Sequence, residues 1–112
     1  IRVIEISPAQ SRRDAIICHL RTISLLDKSE YEALSYVWGR SNDTKHILLD
    51  GSELSVTDSL FEAFTHLRDV KMTRILWVDA LCINQKDDNE KSIQVRMMDK
   101  IYAQASTVLV WL

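Results

Sequence analysis

Glycine is nearly missing from this chain. Gly39 and Gly51 are the only two in 112 residues, and Pro8 is the sole proline. Neither a GxxxxGK[ST] loop nor a GxGxxG turn can be written with them, which excludes the usual glycine-built phosphate cradles. Cysteine is just as sparse: Cys18 and Cys82 stand far apart and form no CxxC. Two free thiols in a reducing compartment are expected, not a disulfide framework. His19, His46 and His66 are isolated from one another and from both cysteines, so no metal site is expected. No apolar run reaches the ~18 residues of a membrane span, and no signal-peptide pattern opens the chain. Neither sign of charge dominates. Lys and Arg number 14 against 16 Asp and Glu, a net charge of -2, and the basic residues are scattered. That lacks the basic footprint of a nucleic-acid binder. The absences point to a cytoplasmic domain.

What is present is apolar residue in a structured pattern, 46% of the chain, enough for one core and at most one domain. Residues 1–6 (IRVIEI) alternate as a half-buried strand does, and Pro8 ends the run. Residues 15–23 read as a second strand, with Ile16, Cys18 and Leu20 on one face and Ile17, His19 and Arg21 on the other. A polar turn joins the two into an antiparallel pair. A third strand spans Glu32–Trp38 and stops at Gly39. Residues 46–56 read as a hairpin about Asp50-Gly51, since type I′ turns need positive φ at both central positions. Thr57 can cap a helix running to about Asp69, with Leu60, Phe61, Phe64 and Leu67 on one face.

Residues 74–78 (RILWV) form a short, almost wholly apolar run, as does TVLVWL at 107–112, and both read as strands covered on two faces. Between them lies a loop at 79–86. An amphipathic helix follows from about Asp88 to Ala105, with an apolar stripe of Ile93, Met97, Met98, Ile101, Tyr102 and Ala105. Asp87 and Glu90 have the spacing of a capping box. Strand–helix–strand implies parallel strands with a crossover, so 74–78 and 107–112 are expected to be neighbours. The fold class is α/β: a sheet parallel in its middle, helices on its faces and an antiparallel β extension from the first half.

Ligands of open parallel sheets bind beyond the carboxyl ends of the strands. Two places qualify: the loop after 74–78, and the end of the 32–38 strand. In the first, Leu81, Cys82 and Ile83 are apolar, so the loop is expected to fold back and present Asp79, Asn84 and Gln85 at the edge. Each polar residue has two readings. Asp79 either accepts hydrogen bonds from loop amides or acts on a substrate. Asn84 and Gln85 either satisfy backbone groups or touch a ligand. Glu90 is a capping partner or a catalytic acid. Trp38, Trp77 and Trp111 are expected in the core. Cys82 has no neighbouring cation in sequence to activate it as a nucleophile.

Several strings go further. YEALSYVWG at 31–39, ILLDG at 47–51, LSVTDSL at 54–60, ILWVDALCINQ at 75–85, and QVRMMDKIY leading into AQASTVLVWL at 94–112 resemble the heterokaryon-incompatibility (HET) domain of filamentous fungi, in family order. The resemblance makes 1–112 a single HET domain whose family pattern continues past Leu112. It implies a nonself-recognition effector that triggers programmed cell death by assembling with itself, with other HET domains or with receptor-like death-signalling domains. The HET domain is also distantly similar to the Toll/interleukin-receptor (TIR) domain, which implies a flavodoxin-like sheet. Some TIR domains, when clustered, hydrolyse NAD with a glutamate, so the alternative is a clustering-activated hydrolase with NAD as substrate and no cofactor. Laying Leu81-Cys82 on the TIR Trp-Cys pair puts that glutamate at Gln85, which cannot ionise. Asp79 and Glu90 are then the candidate acids. Ser35, Trp38, Gly39, Asn84 and Gln85 are the candidate ligand-binding or loop-shaping residues.

Overall fold

The computed structural model describes residues 1–27, 29–36 and 45–111. Alternation at the N-terminus yields β1 (Arg2–Ile6) and β2 (Ile17–Thr22), paired antiparallel from Arg2↔Thr22 to Ile6↔Cys18. Cys18 is buried and Ile17 lies open on the other face, as the alternation requires. The turn between these strands is held from afar. Arg68 donates to the carbonyls of Ser11, Asp14 and Ala15 at 3.0–3.1 Å.

After β3 (Glu32–Tyr36), the hairpin forms as expected from β4 (Lys45–Leu49) and β5 (Ser52–Val56). Asp50 has φ 50° and Gly51 φ 82°, the positive pair that a type I′ turn demands. The Thr57 hydroxyl accepts from the Leu60 amide at 3.2 Å and caps α1 (Asp58–Leu67), which buries Leu60, Ala63 and Phe64. The helix stops at Leu67, short of Asp69, because Arg68 turns extended. Then come β6 (Arg74–Trp77), a single helical turn α2 (Asp79–Cys82), α3 (Asp88–Gln104) and β7 (Thr107–Trp111).

The seven strands make one mixed sheet in the order β5-β4-β2-β1-β6-β3-β7. Two expectations need correcting here. Strands β6 and β7 are parallel and bridged by α3, but they are not neighbours. β3 lies between them, registered Ala33↔Trp77 on one side and Ala33↔Val108 on the other. The parallel set is also not central. The three parallel strands β6, β3 and β7 occupy one end of the sheet, the middle strand, β1, runs antiparallel to both β2 and β6, and the extension from the first half is itself mixed, since β2 pairs parallel with β4. Nothing local to an apolar run says which strand will slot beside it; the partners are fixed by packing.

The helices cover opposite faces. Tyr31 donates to the Ile101 carbonyl, and Trp77 meets Tyr102 edge-on, so α3 lies on the face of Tyr31, Ala33 and Trp77. Arg74 bridges Glu32 to the Leu67 carbonyl, which puts the end of α1 on the other face. Leu76, Trp77, Val78 and Phe64 have no exposed surface and centre the core. Strand β7 is not covered on both faces. Leu109 and Trp111 turn towards α1, where the Trp111 ring lies 5.1 Å from that of His66 and tilted 44° to it, but Val108 and Val110 are exposed. The α3 stripe is shorter than its sequence pattern too, because Ile93 is exposed. A helix of 17 residues is ~25 Å long while a strand of five spans ~17 Å, so its first turns overhang the sheet.

Candidate functional site

The segment after β6 is apolar enough to turn inward, and it does so as a helical turn where a loop is expected. The Cys82 amide donates to the Val78 carbonyl at 2.8 Å, the Val78 amide points at the Cys82 sulfur at 3.4 Å, and Cys82 and Ile83 are buried. Val78 supplies no side-chain cap, so a turn this short leaves almost no trace in sequence. Burial pushes both thiols up to about 12, which keeps Cys82 and Cys18 protonated; both are free.

The polar residues of this segment are largely used to shape it. Gln85 Nε2 donates to the Asp79 carbonyl at 2.8 Å, and Asn84 Oδ1 accepts from the Lys86 amide at 3.1 Å. Asp87 caps α3 by accepting from the Glu90 amide at 3.1 Å. The return half of the capping box is not made. Glu90 instead turns its carboxylate to Arg2 and to the Asn84 amide, both at 2.5 Å. The pair is about a third to a quarter exposed, at 32% and 26%. Arg2 first, and then the Asn84 amide, holds the Glu90 carboxyl below its ordinary range.

A second group of side chains gathers where β3 and β6 end. Tyr102 of α3 shares a hydrogen bond with Ser35, and the Asp79 carboxylate is close enough to reinforce the upward shift that burial imposes on the phenol. Trp77 packs beside Tyr102 with ring centroids 5.5 Å apart, and its indole Nε1 is buried without a hydrogen-bond partner. The expected site residues thus fall into two clusters: Ser35 with Asp79, and Asn84 with Gln85 and Glu90. Trp38 and Gly39 lie outside the described residues.

A cleft of about 540 Å³ opens beside the second cluster. Its floor comes from Leu20, Leu49 and Leu54 of the sheet, and Leu81 of α2. Its rim holds Arg2, Asn84, Gln85 and Lys86, whereas Ser35, Asp79 and Glu90 are not in its lining. Two contributors escape sequence reading. Arg2 is 88 residues from Glu90, and no local pattern announces such a pair. Tyr102 reads as one more apolar stripe residue, although a tyrosine in such a stripe brings a hydroxyl that needs a partner.

The fold and these clusters define a mixed α/β domain whose strand-end polar residues are mostly committed to one another. The family model described as heterokaryon incompatibility protein (HET) matches residues 31–112. Heterokaryon incompatibility protein 6, OR allele, of Neurospora crassa is 40% identical over 125 residues, covering 100% of this chain. The chain belongs to the heterokaryon-incompatibility family. It spans 18% of that relative's length. No solved structure matches it.

Proposed function

We propose that this chain is the assembly module of a fungal nonself-recognition protein, and that it signals cell death in the cytoplasm by binding copies of itself or related domains. The observation that carries this reading is the commitment of Glu90. Its carboxylate accepts from Arg2 and from the Asn84 amide, and it does not line the neighbouring cleft. An acid engaged in this way holds the α3 N-terminus against β1 and is poorly placed to meet a developing cation.

One observation favours a second reading, a clustering-activated NAD hydrolase. Ser35, Tyr102 and Asp79 draw together where two parallel strands end, the place where α/β sheets take ligands. A TIR-like reading would rest on this parallel unit with its crossing helix. In this reading Asp79 would stabilise the positive charge developing on the ribose.

Asp79→Asn and Glu90→Gln separate the two. Under the assembly reading Asp79→Asn keeps an acceptor, so it costs about 1–2 kcal/mol of stability and retains cell-death signalling. Artificially clustered protein should leave NAD intact by chromatography. Folded, normally assembling variants that fail to kill cells, together with NAD consumption by the parent chain, would establish the enzyme instead.

A further inference from the structure

At the amino ends of β2 and β6, away from the strand-end clusters, two turns are lashed together. They are residues 9–15, after β1, and 68–73, before β6. Arg68 holds the first turn by its carbonyls, and the Ala9 amide donates to the Asp69 carbonyl at 3.0 Å. Each turn is also stiffened from within. The Ser11 amide donates to the Asp14 carboxylate at 3.2 Å, while the Asp69 carboxylate accepts from the Val70 and Met72 amides at 2.8 and 3.2 Å.

That bonding has two consequences for the surface. The first is electrostatic. The two segments carry four cations, Arg12, Arg13, Arg68 and Lys71, against two acids, in a chain whose net charge is -2. Both acids, Asp14 and Asp69, are spent on backbone amides, and among the described residues Arg12, Arg13 and Lys71 have no acidic partner. A polar notch of about 250 Å³ lies between the turns, with Ser11, Arg12, His66 and Arg68 in its wall and no acid among its described lining residues. The second consequence is that two apolar side chains are fixed in water. Val70 is 55% exposed and Met72 70% exposed, on either side of the exposed Lys71, and Val70 also lines the notch. Side chains held out in this way need little further ordering when a partner arrives.

We infer that this tip docks on a membrane rich in anionic phospholipid, a headgroup phosphate entering the notch while Val70 and Met72 sink to the level of the first acyl carbons. The pairing of features selects this occupant. A free phosphate would use the notch and the cations but not two projecting apolar side chains. An acidic protein would leave Val70 and Met72 in water unless it brought an apolar pocket of its own. An anionic bilayer offers phosphate at headgroup depth and hydrocarbon just beneath it, so cations and apolar side chains are both met by one surface. Both Arg68 Nη atoms are occupied by carbonyls, so the charge contact falls chiefly to Arg12, Arg13 and Lys71. The contact is peripheral, since no helix among the described residues is long and apolar enough to cross a membrane. Docking of this kind does not depend on assembly, and either can fail alone.

The test is co-sedimentation of the full-length protein with vesicles of phosphatidylcholine alone and of equal parts phosphatidylcholine and phosphatidylserine. Binding to the anionic vesicles should exceed binding to the neutral ones by about tenfold or more and fall as salt rises. Arg12→Gln with Lys71→Gln should weaken it by about 25-fold, or fivefold for each cation. Val70→Ser with Met72→Ser should weaken it by about tenfold or more. All four positions are exposed, so both variants should fold, as circular dichroism would confirm. Equal binding to both vesicles, or binding to neither, would overturn the docking. Anionic binding indifferent to both variants would place the contact elsewhere and overturn it too. Binding that ignores the Val70 and Met72 changes and is displaced by glycerol 3-phosphate would assign the notch to a free phosphate ester instead. Capture by polyglutamate, without vesicle binding and lost with Arg12 and Lys71, would assign the tip to an acidic protein.

Discussion

Glu90 is more acidic than a free glutamate because Arg2 and the Asn84 amide both favour its anion. A carboxyl whose folded value lies below its unfolded one stabilises the fold above the unfolded value, here 4.5, and loses that contribution as pH falls through the folded one. The melting temperature of Glu90→Gln should therefore trail the parent at pH 7, and the gap should close as pH falls below 4.5 and through the lowered folded value. Added salt should narrow the gap at neutral pH, since the pair is partly exposed. The thiols respond in the opposite direction. Cys18 and Cys82 are raised from 9.0 to about 12 by burial, so their contribution is intact below pH 9 and drains away between those values. In folded protein at pH 8 neither should react with a thiol reagent at a rate faster than unfolding, as a stopped assay with and without urea would report. The burial of Cys18 was legible, because strand alternation alone assigns it to the inner face. Arg2 was not, because its partner arrives from the far end of the chain.

Among the elements, those specified by neighbouring residues were the ones sequence described well. The β4–β5 turn needs two left-handed residues in a row and has Asp50-Gly51; α1 needs a cap and has Thr57. Gly51 adopts φ 82°, and a Cβ there would meet nothing within 4 Å. Gly51→Ala should thus cost only the strain of the backbone conformation, about 1 kcal/mol, seen as a lower urea midpoint at unchanged m-value. A larger loss would reveal a steric contact. Elements set by distant packing were misread. α2 is one uncapped turn fixed by Cys82 and Ile83 sinking into the core. β7 has the apolar composition of a covered strand yet leaves Val108 and Val110 exposed, and Ile93 has helical spacing yet overhangs the sheet. Apolar pattern reports what a residue could bury, while the length and position of its neighbours decide whether it does.

At the scale of the molecule, Trp77 joins sheet, α3 and strand-end cluster, with no exposed surface. Trp77→Ala should cost about 3–5 kcal/mol, measured by denaturant unfolding. Trp77→Phe should cost less than the lost ring volume suggests, because it also removes a buried N–H that has no partner. Equal losses in the two would mean that this N–H is satisfied in solution. The sheet order reaches further still, into the birth of the chain on the ribosome. The strands flanking β3 on both sides, β6 and β7, are encoded after it, within residues 74–111. A nascent chain that has reached only residue 73 can already close the β1–β2 pair, the β4–β5 hairpin and α1, but β3 has no rail to join. Ala33 and Leu34, enclosed at the end, must wait in the open until residues 74–111 are translated. The strand laid down third is among the last to be locked, so its two apolar faces stay without partners until the strands that flank it have been made.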